Sequence, residues 1–202
     1  MGLSLVLLGD SIAWGQGAAA PGERLAPRLV AGLAAAGADA RADVVAVPGA
    51  RSAHLARQVD RAAVLHPDLA VVVIGANDLT HRVPAERAAA DLGRAVRRLR
   101  EAGAEVVVAA APDLSAVPHV PEPLRALVRA ASEDLRSRQE DAVRAAGGRV
   151  ADPEHRGSDA FADDPGLFSA DRFHPSSAGY AVIAAALLPE VLRAAGLGTD
   201  AA

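Results

Sequence analysis

The chain of 202 residues contains no cysteine and no lysine. The first absence removes disulfides, thiolate nucleophiles and thiolate-ligated zinc. The second removes Schiff-base chemistry and the phosphate-gripping lysine of a P-loop, since all 21 basic residues are arginine. Aromatic residues make up 2% of the chain, namely Trp14, Phe161, Phe168, Phe173 and Tyr180, so stacking platforms for sugar rings are few. The net charge is -4 and no dense basic run is present, so no nucleic-acid partner is expected. No basic region precedes the N-terminal apolar stretch, which is too short to span a bilayer, and a cytoplasmic location without stable membrane insertion is expected. Composition sets no oligomeric state.

What is present is a chain that is 51% hydrophobic and 23% charged, enough for one packed domain over residues 1–195 with a flexible tail at 196–202. Short apolar runs at Leu3–Leu8, Asp43–Val47, Leu69–Ile74, Glu105–Ala110 and Arg149–Ala151 predict five strands. Between them apolar residues recur at helical spacing: Leu25, Leu29 and Leu33; Leu92, Val96 and Leu99; Leu124, Leu127, Val128, Leu135 and Val143; then Tyr180, Ile183, Leu187 and Val191. Gly37, Gly103 and Gly147-Gly148 stand where helices end. Strands apolar on both faces, alternating with helices, predict a parallel sheet between two helical layers, an α/β fold. The stretch from Asp152 to Ser169 is expected to be a long irregular loop folded back over the sheet edge.

In such a sheet every loop leaving the C-terminal end of a strand opens on one edge, where ligands bind. Gly9-Asp10-Ser11 follows the first strand, Gly75-Ala76-Asn77-Asp78 follows the third, and Asp171-Arg172-Phe173-His174-Pro175 precedes the last helix. These blocks supply a hydroxyl nucleophile, an imidazole base with a carboxylate three residues away, and an amide donor. Taken singly each has a plainer reading as a turn or cap, and Asp78 is expected to be a helix-cap or Asx-turn residue after strand three. His54, His66, His81, His119 and His155 are scattered without ligand spacing, so neither a metal nor a cofactor is expected. Gly15-x-Gly17-x-x-Ala20 satisfies the letter of a dinucleotide fingerprint, but the glycines lie several residues past the strand and Pro21-Gly22 interrupts the receiving helix.

In their order along the chain these blocks resemble the SGNH, or GDSL, hydrolase superfamily. The resemblance implies a flavodoxin-like three-layer fold with a central parallel five-stranded sheet and serine ester hydrolysis. It implies Ser11 as nucleophile, His174 as base and Asp171 as the residue orienting it. The implied oxyanion hole consists of the Ser11 and Gly49 backbone N–H groups and the Asn77 side chain. Gly49 lies in Val47-Pro48-Gly49-Ala50, where the asparagine often found just upstream in the family is absent.

The substrate expected is a small-molecule, lipophilic carboxylic ester cleaved through an acyl-enzyme. Leu114, Val117, Val120 and Leu124, interleaved with four prolines, mark a loop suited to an apolar wall. Trp14, so close to Ser11, either lines an acyl or alcohol pocket or packs on the first helix. Carbohydrate deacetylation, thioester or lysophospholipid cleavage and acyl transfer are variants the same motifs allow. A nucleotide- or ligand-binding protein on the same sheet is the non-enzymatic alternative.

Overall fold

The computed structural model describes residues 2–152 and 154–198. Five parallel strands form one sheet: β1 (Leu3–Gly9), β2 (Ala40–Val44), β3 (Leu69–Val73), β4 (Glu105–Ala109) and β5 (Arg149–Val150), in the order β2-β1-β3-β4-β5. Around them lie α1 (Ser11–Trp14), α2 (Leu25–Ala35), α3 (Leu55–Ala63), α4 (Ala76–Thr80), α5 (Ala85–Glu101), α6 (Glu122–Ala145), α7 (Arg156–Asp163) and α8 (Ser177–Ala194). This is the flavodoxin-like strand order, and the chain reverses its direction of winding between β1 and β3.

The two-residue period of the strands divides the core. Val6, Leu8, Ala70, Val72, Val106 and Val108 face α3, α5 and α6. Leu5, Leu7, Leu69, Val71 and Val107 face α2 and α8, where Leu29, Leu33, Tyr180, Leu187 and Val191 are buried. Each fully buried leucine contributes about 1.5–3 kcal/mol of transfer free energy, so both helical layers are held by the central strands β1, β3 and β4. α8 is long and apolar enough to cross a membrane by length and composition, but its Tyr180, Ala184, Leu187 and Val191 are buried in this layer.

The second strand departs from its expected bounds. The sequence pattern puts it at 43–47, whereas β2 runs from Ala40 to Val44 and only a looser extension follows, with Val45 N–H donating to the Leu7 carbonyl and Val47 N–H to that of Gly9. The reason is its place at the sheet edge: Arg41 and Asp43 face solvent there and remove the apolar signal from the strand's first half. The Asp152-to-Ser169 stretch is likewise not wholly irregular, since α7 occupies Arg156–Asp163 and a short 3-10 turn Pro165–Leu167. In α6, Leu135 and Val143 are buried as expected, but Leu124 and Leu127 are 49% and 69% exposed. Of the tail, Gly196 and Leu197 donate back to the carbonyls of Arg193 and Leu192 at the end of α8, and residues 199–202 lie outside the described residues.

Candidate active site

Gly9 ends β1 with φ +131°, and a Cβ there would stand 1.8 Å from the Val73 carbonyl oxygen, so the chain turns out of the sheet where only glycine fits. The buried Gln58 side chain grips the same peptide from α3, accepting from Gly9 N–H at 2.7 Å and donating to its carbonyl at 2.8 Å. Asp10 then caps the four-residue α1, its Oδ1 accepting from Ile12 N–H at 2.9 Å. This places Ser11 in the first turn of α1 at the C-terminal edge of the sheet. The turn closes at Gly15, φ +94°, and Tyr180 donates its hydroxyl proton to the Gln16 carbonyl at 2.8 Å. Gly17 passes so close to the opposite loop that a Cβ would meet the Pro175 carbonyl at 2.5 Å. The glycines of the dinucleotide-like pattern therefore serve a close loop crossing, away from any strand-to-helix turn.

His174 approaches from the loop before α8. Its Nε2 lies 3.0 Å from Ser11 Oγ and its Nδ1 2.6 Å from Asp171 Oδ2. The other carboxylate oxygen of Asp171 accepts from the Ser169 hydroxyl and from the N–H groups of Phe173 and His174, each at 2.9 Å. Burial works against charge on Asp171, but the bonds from the His174 ring and backbone, Phe173 and Ser169 outweigh it and hold the carboxyl well below the usual carboxylate range. Asp171 is thus a fixed anion, and it selects the tautomer in which Nδ1 carries the proton and Nε2 faces Ser11 as acceptor. The structure brings Ser11, His174 and Asp171 together from positions 163 and 3 residues apart.

Asn77 sits in the first turn of α4, which leaves β3 beside β1, and its side chain lies next to the Asp10 carboxyl. Gly49 occupies an exposed turn, φ +79°, closed by the bond from Ala50 N–H to the Val47 carbonyl, on the same edge of the sheet. Asp78 does not cap α4. It is buried and accepts from Ser52 N–H at 3.0 and 3.1 Å and from the Ser52 hydroxyl at 2.9 Å, tying the Gly49 loop to the Asn77 block. Burial raises its carboxyl pKa, with the Ser52 bonds opposing. Trp14 faces away from Ser11: it is 38% exposed, with the Arg24 guanidinium 4.3 Å above its ring, and lines a separate surface hollow with Pro27 and Val44.

Beside Ser11 and His174 opens a cavity of about 130 Å³ with mostly apolar walls, among them Pro112, Leu114, Val117, Phe161, Phe168 and Phe173. Phe161 and Phe168 meet edge to face at 5.1 Å, which joins α7 to the loop carrying Asp171. The apolar wall expected from the loop after β4 is therefore present in Leu114 and Val117, while Leu124 points to solvent.

Three contributors have no local signature in sequence. Gln58 and Asp78 act through contacts 49 and 26 residues away. His119, expected to be a surface or loop histidine, bonds through Nε2 to the Asp171 carbonyl at 2.9 Å and so links the loop after β4 to the loop carrying Asp171. Among the described residues no group of three His, Asp or Glu side chains is placed to hold a metal.

The model of the GDSL-like lipase/acylhydrolase family matches residues 7–182. A GDSL-like esterase of Mycobacterium tuberculosis is 42% identical over 193 residues, covering 94% of this chain, which spans 61% of that relative's length. Among solved structures, TesA superposes with a TM-score of 0.79 at 20% identity, over 95% of this chain and 99% of its own. An acetyl xylan esterase variant from Geobacillus stearothermophilus does so with 0.70 at 19% identity, over 100% and 99%. These two likenesses concern the fold, an α/β sandwich shared with SGNH hydrolases; the matched sequence model and the 42% identical relative carry the assignment itself. The chain belongs to the GDSL-like lipase/acylhydrolase family.

Proposed function

We propose that this chain is a serine esterase that cleaves small lipophilic carboxylic esters through an acyl-enzyme. The observation that carries the reading is the single line of contacts from Asp171 through His174 to Ser11, at 2.6 and 3.0 Å. A serine hydroxyl is a weak nucleophile at neutral pH and requires a positioned base to take its proton. In acylation the Ser11 oxygen bonds to the ester carbon while its proton passes to His174 Nε2. Collapse of the tetrahedral intermediate breaks the bond to the alcohol oxygen, which leaves with that proton. A water then repeats the sequence on the acyl-enzyme, giving its proton to His174, and Ser11 recovers its hydroxyl as the acid departs. The negative charge on the carbonyl oxygen falls to the Ser11 and Gly49 N–H groups and the Asn77 side-chain amide.

The apolar walls beside Ser11 favour lipophilic esters, and the scarcity of exposed aromatic platforms speaks against a carbohydrate substrate. The test is hydrolysis of a nitrophenyl ester series from acetate to long acyl chains, with Ser11→Ala beside the unaltered enzyme. Loss of roughly 10⁶ in kcat is expected for Ser11→Ala and for His174→Ala, and a smaller loss for Asp171→Asn. An organophosphorus ester should label Ser11 covalently. Turnover that survives in Ser11→Ala would dismiss the mechanism.

A further inference from the structure

The cavity beside Ser11 does not end in apolar residues. It continues under α7, above the short β5, to a polar end formed by Asp113 and by Arg136 and Glu140 of α6, with Asp152 and His155 beside them. The carboxylates at this end are already engaged. Asp113 accepts from Ser115 N–H at 2.8 Å and lies 3.5 Å from Arg129; Glu140 is held by Arg144 at 2.9 Å and faces His155 at 3.8 Å. Asp152 accepts from the N–H groups of Arg156 and Gly157 at 3.1 and 2.7 Å, capping α7. Arg136 alone among these charges has no hydrogen-bond or ion-pair partner among the described residues, although it is half-buried and faces the cavity. A guanidinium is always charged and offers a planar fork of donors that matches a carboxylate.

Resting on the esterase reading, we infer that the preferred substrate is an ester whose acyl chain ends in an anionic group, which Arg136 receives at the far end of this cavity. The acyl side, and not the alcohol, belongs there. The water that deacylates the enzyme has to reach His174 from where the alcohol left, so the alcohol side must open to solvent, and the walled cavity is left to the acyl chain. Half-esters of short dicarboxylic acids have this form: an ester carbonyl at Ser11, methylenes along Leu114, Val117 and Phe161, and a carboxylate at Arg136. A methylene chain of the same length without the charge fills the walls equally well and leaves the guanidinium without its partner.

The experiment compares the mononitrophenyl ester of adipic acid with nitrophenyl heptanoate, a neutral chain of similar length, using the unaltered enzyme, Arg136→Gln and Arg136→Glu. The unaltered enzyme should favour the anionic ester in kcat/KM by ~10-fold or more, the effect of one charge-assisted hydrogen bond. That ratio should collapse in Arg136→Gln and invert in Arg136→Glu. Free adipate should inhibit the unaltered enzyme competitively and Arg136→Gln far less, a reading that needs only binding. Equal or greater activity on heptanoate in the unaltered enzyme, with no inhibition by adipate, overturns the inference while leaving the esterase reading intact. No turnover of either ester, nor of nitrophenyl acetate, overturns both.

Discussion

Asp78 and Ser52 stand 26 residues apart in the chain, yet the Asp78 carboxylate takes both the N–H and the hydroxyl proton of Ser52 at 2.9 to 3.1 Å. Asp78 directly follows Asn77, and Ser52 lies three residues past Gly49. The clasp therefore fixes the spacing between two of the three donors assigned to the oxyanion, which must be set before the charge develops. Asp78→Ala is expected to lower kcat on nitrophenyl acetate by ~10²-fold, the effect of misplacing one oxyanion donor, with KM changing far less. It also leaves the buried Ser52 groups unpaired, at about 1–3 kcal/mol each. Urea unfolding alongside kinetics separates the two effects, and a variant that loses stability but retains kcat would show the clasp to be structural alone.

The Gln58 amide holds the Ser11 side of the site in the same way. Both its polar atoms are committed to the Gly9 peptide, two residues before Ser11, and the side chain is buried. Gln58→Ala leaves the buried Gly9 N–H unpaired, while the Gly9 carbonyl keeps the bond from Val47 N–H, so a stability loss of about 1–3 kcal/mol is expected. In whatever fraction folds, labelling of Ser11 by an organophosphorus ester should slow, because Ser11 is no longer held against His174. An unchanged labelling rate in folded protein would sink the positioning role.

How much of this arrangement is legible in the sequence follows from how local its causes are. β1, β3 and β4 are apolar throughout because both faces are covered, and that pattern is visible in a single strand's residues. β2 lies earlier than its apolar run predicts because an edge strand carries Arg41 and Asp43 on its open side, which hides the strand while the apolar residues beyond it mimic one. α7 has one large apolar residue, Phe161, facing the cavity, and its start is set by the Asp152 carboxylate, so no helical period announces it. Ser11, Asn77, Asp171 and His174 are legible because each sits in a short motif beside a predicted strand or helix. Gln58 and Asp78 act only through contacts the fold creates, and nothing near them in sequence marks those contacts. The direction of Trp14 is hidden for the same reason, since it depends on how α1 meets Arg24.

The depressed pKa of Asp171 has a kinetic signature. Burial opposes its charge, but four hydrogen-bond donors keep it ionised well below the working range. A carboxylate held ionised in this way adds no ionisation of its own to the acid limb of kcat/KM. Between about pH 4 and 9 Asp171 should contribute no second step to that limb. A pH-rate profile that falls with a slope of two on the acid side would contradict this. Chelators should leave the rate unchanged, because the mechanism calls on no metal.

Asp10 makes the opposite statement about stability. Burial, with the charge of Asp78 adding to it and the Ile12 N–H bond opposing, raises its pKa from 3.8 to about 7. In the unfolded chain this carboxyl loses its proton near pH 4, while in the folded protein it keeps the proton until about pH 7. The folded state thus binds more protons across that window, so its stability falls as pH rises through it, by an amount on the order of a few kcal/mol. Asp10→Asn retains an oxygen to accept from Ile12 N–H and removes the ionisation. The variant should therefore gain on the unaltered protein in unfolding free energy as pH moves from 5 to 8, with little difference at pH 4. Urea titrations of both proteins at these values measure it, and parallel pH dependences in the two would show that Asp10 does not hold its proton in the folded state.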